Sequence, residues 1–178
     1  MNEPIIAPEK IGLVTDIPGY THDISRLICM MNYTRQVTLR SVKGLTAEEL
    51  DYQLDDNSNS IGSLLLHIAA GDYYYQVGTF EDRDLNEEEL RKWGPALNLG
   101  KEARDIIKGN DTEYYINILN EVRSRTYELL KGKDDKWLAE KVTSGKNEFN
   151  IHYFWFHVFE DEINHRGQIN FIKKRLKK

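Results

Sequence analysis

The chain has 178 residues, of which 24 are Lys or Arg and 29 are Asp or Glu, for a formal net charge of −5. That length suits one domain, residues 1–178, with a core large enough to need no disulfide or structural metal. The acidic balance provides no broad basic face for a phosphate backbone, so nucleic acid is not expected as a partner.

The opening run MNEPIIAPEK carries Glu3 and lacks a long apolar segment, and no later stretch approaches membrane-spanning length. A cytoplasmic protein with no membrane contact is expected. From about Thr21 to Arg40 the residues Ile24, Leu27, Ile28 and Met31 follow the helical period, with Pro18 and Gly19 upstream. Cys29 sits in this helix between Leu27, Ile28 and Met30, Met31, where a cysteine packs as a small hydrophobe. As the single cysteine it can form no intrachain disulfide and suits a reducing compartment, so thiol chemistry would require an external thiol.

Thr46 followed three residues later by Glu49 is a capping box that starts a short helix through Leu54. After the polar string DDNSNS, Ser60 is the N-cap of a second long helix, with Ile61, Leu64, Leu65, Ile68 and Tyr75 apolar, ending near Gly78. Residues 81–109 are charged and interrupted by Trp93, Gly94 and Pro95, which predicts short helices around 86–93 and 101–108. Asp111 caps a third long helix that reaches Gly132. A short amphipathic piece around Trp137 and Leu138, then the turn SGKNE, leads to a fourth long helix from about Asn150 to Arg175. Lys173, Lys174, Arg175, Lys177 and Lys178 close the chain, where cations complement the negative end of a helix. With no convincing strand and no internal repeat, the fold predicted is an all-α four-helix bundle with long irregular connections.

On the last helix His157, Asp161 and His165 recur every four residues and form one stripe, embedded among Phe154, Val158, Ile169 and Ile172. A carboxylate facing the interior must be compensated, and two imidazoles beside it make a metal-ligand or proton-transfer set. His67, the histidine of helix two, lies in the apolar stretch SLLLHIAAG; alone it reads as a core residue. Together with the stripe it offers a site, because bundles build metal sites from side chains projecting inward from facing helices. His67, Asp161 and His165 would supply two nitrogens and one oxygen, leaving the open position of a catalytic metal site. Glu162 and His165 have the Glu-x-x-His spacing of di-iron bundles, but no second such pair exists. An acid–base carboxylate pair would need Asp72 to face the acidic run of Glu160, Asp161 and Glu162; Glu160 and Glu162 are expected towards solvent.

These residues resemble the DinB/YfiT-like superfamily of bacterial metal-binding four-helix bundles. Its members carry a histidine on the second helix, as in SLLLHIAAGDYYY here, and a last-helix motif H-x-x-x-H-E-x-x-H-R-G-Q. The chain matches that motif at His157, Glu162, His165, Arg166, Gly167 and Gln168, and places Asp161 where the middle histidine usually stands. A branch similar to mycothiol-dependent maleylpyruvate isomerase uses a glutamate at that place. The resemblance therefore implies one divalent metal ion per subunit on His67, Asp161 and His165, with His157 in the pocket or behind the ligands and Arg166 and Gln168 structural. Zinc or nickel leads, and iron or manganese also suits such ligands.

It further implies a small-molecule substrate, a low-molecular-weight thiol as partner, S-transferase-type chemistry and a homodimer, for which Trp93 and Trp137 offer aromatic surface. Two other functions stay open at this point: metal-dependent hydrolysis, and a non-catalytic, stress-related bundle whose metal only ties two helices, with His157 as a fourth ligand.

Overall fold

A computed structural model describes residues 5–176, so the readings of Glu3 and of Lys177 and Lys178 fall outside it. Four long helices dominate: α1 (His22–Val42), α3 (Ile61–Phe80), α6 (Thr112–Leu130) and α8 (Ile151–Lys173). Between them lie α2 (Ala47–Asp51), α4 (Glu87–Asn98), α5 (Gly100–Ile106) and α7 (Asp135–Leu138). The expected caps are made: Thr46 and Glu49 form the capping box of α2, and Ser60 and Asp111 accept from backbone N–H groups of α3 and α6; Asn150 does the same for α8. At α1 the local residue does not serve. Thr21 instead donates to Asp135 of α7, whose carboxylate accepts from the N–H groups of Asp23 and Ile24.

Two expectations about the connections need correction. Strands β1 (Lys141–Ser144) and β2 (Asn147–Asn150) pair as an antiparallel hairpin, where the sequence reading found only a turn. Gly145, at φ 62°, takes the first position of its two-residue turn, a conformation that needs no side-chain accommodation in glycine. Nor does Pro95 interrupt the chain: α4 continues through it to Asn98, held by Trp93 stacked on Tyr73 with ring centroids 5.1 Å apart. Packing compensates for the hydrogen bond that proline removes.

The core comprises two apolar clusters. One gathers Val42, Leu64, Leu65, Ile68, Tyr115, Leu119 and Ile169; the other gathers Ile24, Leu27, Ile28, Tyr127, Leu130, Trp155 and Val158. Early residues of α1 and α8 belong to the second cluster and late ones to the first, whereas α3 and α6 run from the first to the second. Thus α1 and α8 run one way and α3 and α6 the other, and α3 packs against both α6 and α8.

Where the clusters meet, each long helix contributes one buried charge: Arg35, Asp72, Arg123 and Glu162. Arg35 holds Glu162 through two contacts at 2.9 and 3.2 Å, and Arg123 bridges Asp72 at 2.6 Å and Glu162 at 3.0 Å. Glu162 is fully buried, which overturns its expected place towards solvent. Asp72 and Glu162 share Arg123 and so form no acid–base pair. Trp93 and Trp137 are also buried, and offer nothing to an interface.

Candidate metal centre

Antiparallel packing of α3 on α8 brings His67 onto the Asp161–His165 turn, at the level of the charged layer. One nitrogen from each histidine and one oxygen of Asp161 all lie within 4.8 Å of one another. Asp161 Oδ2 is 3.5 Å from His67 Nε2, and Oδ1 is 3.3 Å from His165 Nε2. The two rings meet edge to face, with centroids 4.6 Å apart. All three side chains are mostly buried, Asp161 being the most exposed at 26%.

Each imidazole is held by its other nitrogen. His67 Nδ1–H donates to the Ala96 carbonyl at 2.8 Å, and His165 Nδ1 faces Gln168 Oε1 at 3.4 Å. Ala96 lies in the last turn of α4, where a helix leaves carbonyls without intrahelical partners. This arrangement fixes the tautomer and aims both Nε2 lone pairs at Asp161, the outer support that metal-binding histidines receive. Gln168 thus contacts His165 from behind. Arg166 does act structurally, reaching the Thr34 carbonyl of α1 at 3.4 Å.

Two lone pairs aimed at one carboxylate require positive charge between them. Without metal, protonation of His67 supplies it. Burial opposes ionisation of Asp161, but hydrogen bonding and charge from His165 and His67 outweigh it and hold the carboxyl well below its usual range. Burial likewise opposes protonation of His67, yet Asp161 and the Ala96 carbonyl raise its pKa. A divalent cation fits the same place. Around a tetrahedral ion with bonds of about 2.0–2.1 Å, neighbouring ligand atoms lie about 3.3–3.4 Å apart. The two imidazole–carboxylate separations, one to each oxygen of Asp161, are close to that spacing and exceed the roughly 2.7–2.9 Å of a close charge-assisted hydrogen bond.

His157, the fourth member of the sequence constellation, is not in this group. Its side chain is 41% exposed, its Nδ1 pairs with Glu160 at 3.2 Å, and its ring lies parallel to Tyr153. It lines, with His67, Asp161 and Tyr75, a cavity of about 170 Å³ that opens beside the triad. Burial pushes the Tyr75 phenol pKa up, so that side chain stays neutral. Sequence reasoning missed the Ala96 carbonyl, Tyr75 and the charged layer. Only the layer left a signal, in arginines placed on the apolar faces of α1 and α6.

Cys29 supplies no nucleophile here: it is buried, and its thiol faces the Thr15 carbonyl at 3.4 Å. No helix among the described residues is long and apolar enough to cross a membrane.

The mycothiol-S-transferase family model matches residues 26–177. The fold is similar to that of a DinB-like protein from Bacillus cereus, with a TM-score of 0.65 and 16% identity over 85% of this chain and 91% of that one. An uncharacterized protein from Clostridium difficile gives a TM-score of 0.67 at 13% identity, over 86% of this chain and 97% of that one. Comparison with curated proteins gives no match. Fold, motif and family model agree: the chain belongs to the mycothiol-S-transferase family of the DinB/YfiT-like superfamily.

Proposed function

We propose that this protein is a metal-dependent thiol S-transferase in which His67, Asp161 and His165 hold one divalent cation per subunit, zinc or nickel first among the candidates. One observation carries the reading: three ligand atoms within 4.8 Å of one another, with both imidazoles braced from behind and a cavity on the open side. A cation held there lowers the pKa of a thiol, so that a nucleophilic thiolate exists at neutral pH without a protein cysteine.

The chain's own residues perform the rest. Ala96 and Gln168 hold both imidazoles through Nδ1 and leave Nε2 of each turned to the site; Asp161 contributes negative charge; Val158 and Leu97 help wall the reacting atoms from bulk water. The external thiol yields its proton to solvent, and its sulfur bonds to an electrophilic carbon. The leaving group departs with the electron pair of the bond that breaks. A purely structural metal would favour a fourth protein ligand, and the position of His157 away from the triad supports the catalytic reading instead.

A reducing, cytoplasmic setting suits both the external thiol and the free Cys29. We also propose a homodimer formed away from the site. Elemental analysis of protein purified without a histidine tag, followed by conjugation assays with a panel of small thiols, tests the function. One equivalent of metal and conjugation that stops on stripping and returns on reloading are expected; conjugation indifferent to metal would contradict the proposal.

A further inference from the structure

The shape of the cavity beside the triad depends on one residue without a side chain. His67, Gly71 and Tyr75 recur every four residues along α3, facing the His157, Asp161 and His165 stripe of α8. Between His67 and Tyr75 the α3 stripe presents only hydrogen: a Cβ placed on Gly71 meets nothing within 4 Å. Glycine inside a helix is destabilising relative to alanine, so folding alone does not account for this choice.

The resulting space of about 170 Å³ is walled by Ile68, Leu97 and Val158 and by the rings of Tyr74, Tyr75 and His157, with His67 and Asp161 at one end. Those rings are braced in turn. Tyr75 stacks on Phe154 with centroids 5.6 Å apart and meets the His157 ring at 86°, while His157 lies within 3° of parallel to Tyr153. Asp72, the other carboxylate in the lining, has both oxygens engaged by Arg123 and Thr126 and brings no free charge.

We propose that this cavity is the subsite for a single six-membered aromatic ring carried by the electrophilic substrate. An apolar cavity of roughly 150 Å³ takes up benzene, so the space suits one ring and not a fused pair. Ring faces and edges in the wall favour an aromatic guest over a saturated ring of similar size. The proximity to His67 and Asp161 brings a carbon attached to the ring to the open side of the triad. That the guest is an electrophile rests on the thiol-transfer reading; that the guest is an aromatic ring does not.

Saturation-transfer NMR with benzyl alcohol, cyclohexylmethanol and 2-naphthylmethanol tests it on the protein as purified and on Gly71→Leu and Gly71→Ala, with metal content measured on the same samples. Benzyl alcohol should bind about three- to tenfold more tightly than cyclohexylmethanol, the margin that ring-edge contacts supply, and at least as tightly as 2-naphthylmethanol. Gly71→Leu, whose side chain enters the cavity, should lose benzyl alcohol binding, and Gly71→Ala should weaken it.

Equal affinity for the saturated ring, tighter binding of the fused pair, or unchanged benzyl alcohol binding in Gly71→Leu would overturn the proposal. If Gly71→Leu does not fold, unchanged affinity in both Gly71→Ala and Tyr75→Leu overturns it. The two readings fail separately. Cavity-dependent binding in a protein that holds no metal upholds the ring subsite against the metal assignment, whereas metal without benzyl alcohol binding does the reverse.

Discussion

Asp161 and His67 stabilise each other's charged forms, which gives the metal-free protein a definite pH dependence. A raised imidazole contributes stability fully present below its unfolded pKa of about 6.5, and that contribution is lost as pH rises through the folded value. A depressed carboxyl contributes stability present above about 3.9, lost as pH falls through its folded value. As pH rises from about 6.5 through the raised folded value, the metal-free protein should therefore lose the His67 contribution. Metal acts oppositely, because protons compete with it for both imidazoles. Thermal melts should show the gap in Tm between loaded and stripped protein widening across that range; a narrowing gap contradicts the ligand set. His67→Ala and His165→Ala should each lose stoichiometric metal while keeping a helical circular dichroism spectrum. The stripe behind this was legible because four-residue spacing maps directly onto one helix face. The support of His67 by Ala96 was not, since a backbone carbonyl has no residue-type signature.

Among the helices, α8 carries two adjacent acids with opposite duties. Asp161 faces the site and Glu162, one position and about 100° on, faces Arg35 and Arg123 in the core. Burial opposes ionisation of Glu162, and the two guanidiniums outweigh it and lower its pKa. Removing one partner leaves uncompensated buried charge, so Glu162→Ala should cost about 3–5 kcal/mol in urea unfolding. A loss within 1 kcal/mol, roughly that of an exposed pair, would mean that the layer does not hold the helices together. Gly71→Ala should go the other way and stabilise by about 0.4–1 kcal/mol, since its new methyl enters open space. Periodicity placed α8 correctly but sent Glu162 to solvent, because it ranks positions by apolarity and treats a buried ion pair as surface. The paired arginines amid apolar positions of α1 and α6 are the clue that it discards. Pro95 misled for a related reason: local propensity argued for a break, and the packing of Trp93 overrode it.

At the scale of the molecule, two apolar clusters meet at a charged layer, and the His67–Asp161–His165 cluster lies beside that layer on the α3–α8 side. The bundle was legible because four long amphipathic segments and their caps are local features. The hairpin at 141–150 was not, as its short strands are largely exposed and carry no apolar alternation. For assembly, Phe156 and Ile163 are exposed on one line of α8, seven residues apart and turned away from the triad. They now give the proposed homodimer its motive in place of the buried tryptophans. Sedimentation at micromolar concentration should return a dimer mass for the native chain and a monomer mass for Phe156→Glu with Ile163→Glu, both retaining metal. A native monomer would count against it.

The ligand set is the central claim, and metal titration into Asp161→Asn, Asp161→His and His157→Ala, side by side with the native protein, tests it most directly. Asp161→Asn keeps the shape and removes the charge, and should weaken binding by more than the roughly tenfold that even outer-shell changes produce. Asp161→His should retain metal, with selectivity moved towards softer ions. His157→Ala should bind as the native protein does, since its ring stands outside the triad. If His157→Ala loses metal while Asp161→Asn binds normally, Asp161 is not a ligand and His157 has been wrongly left out.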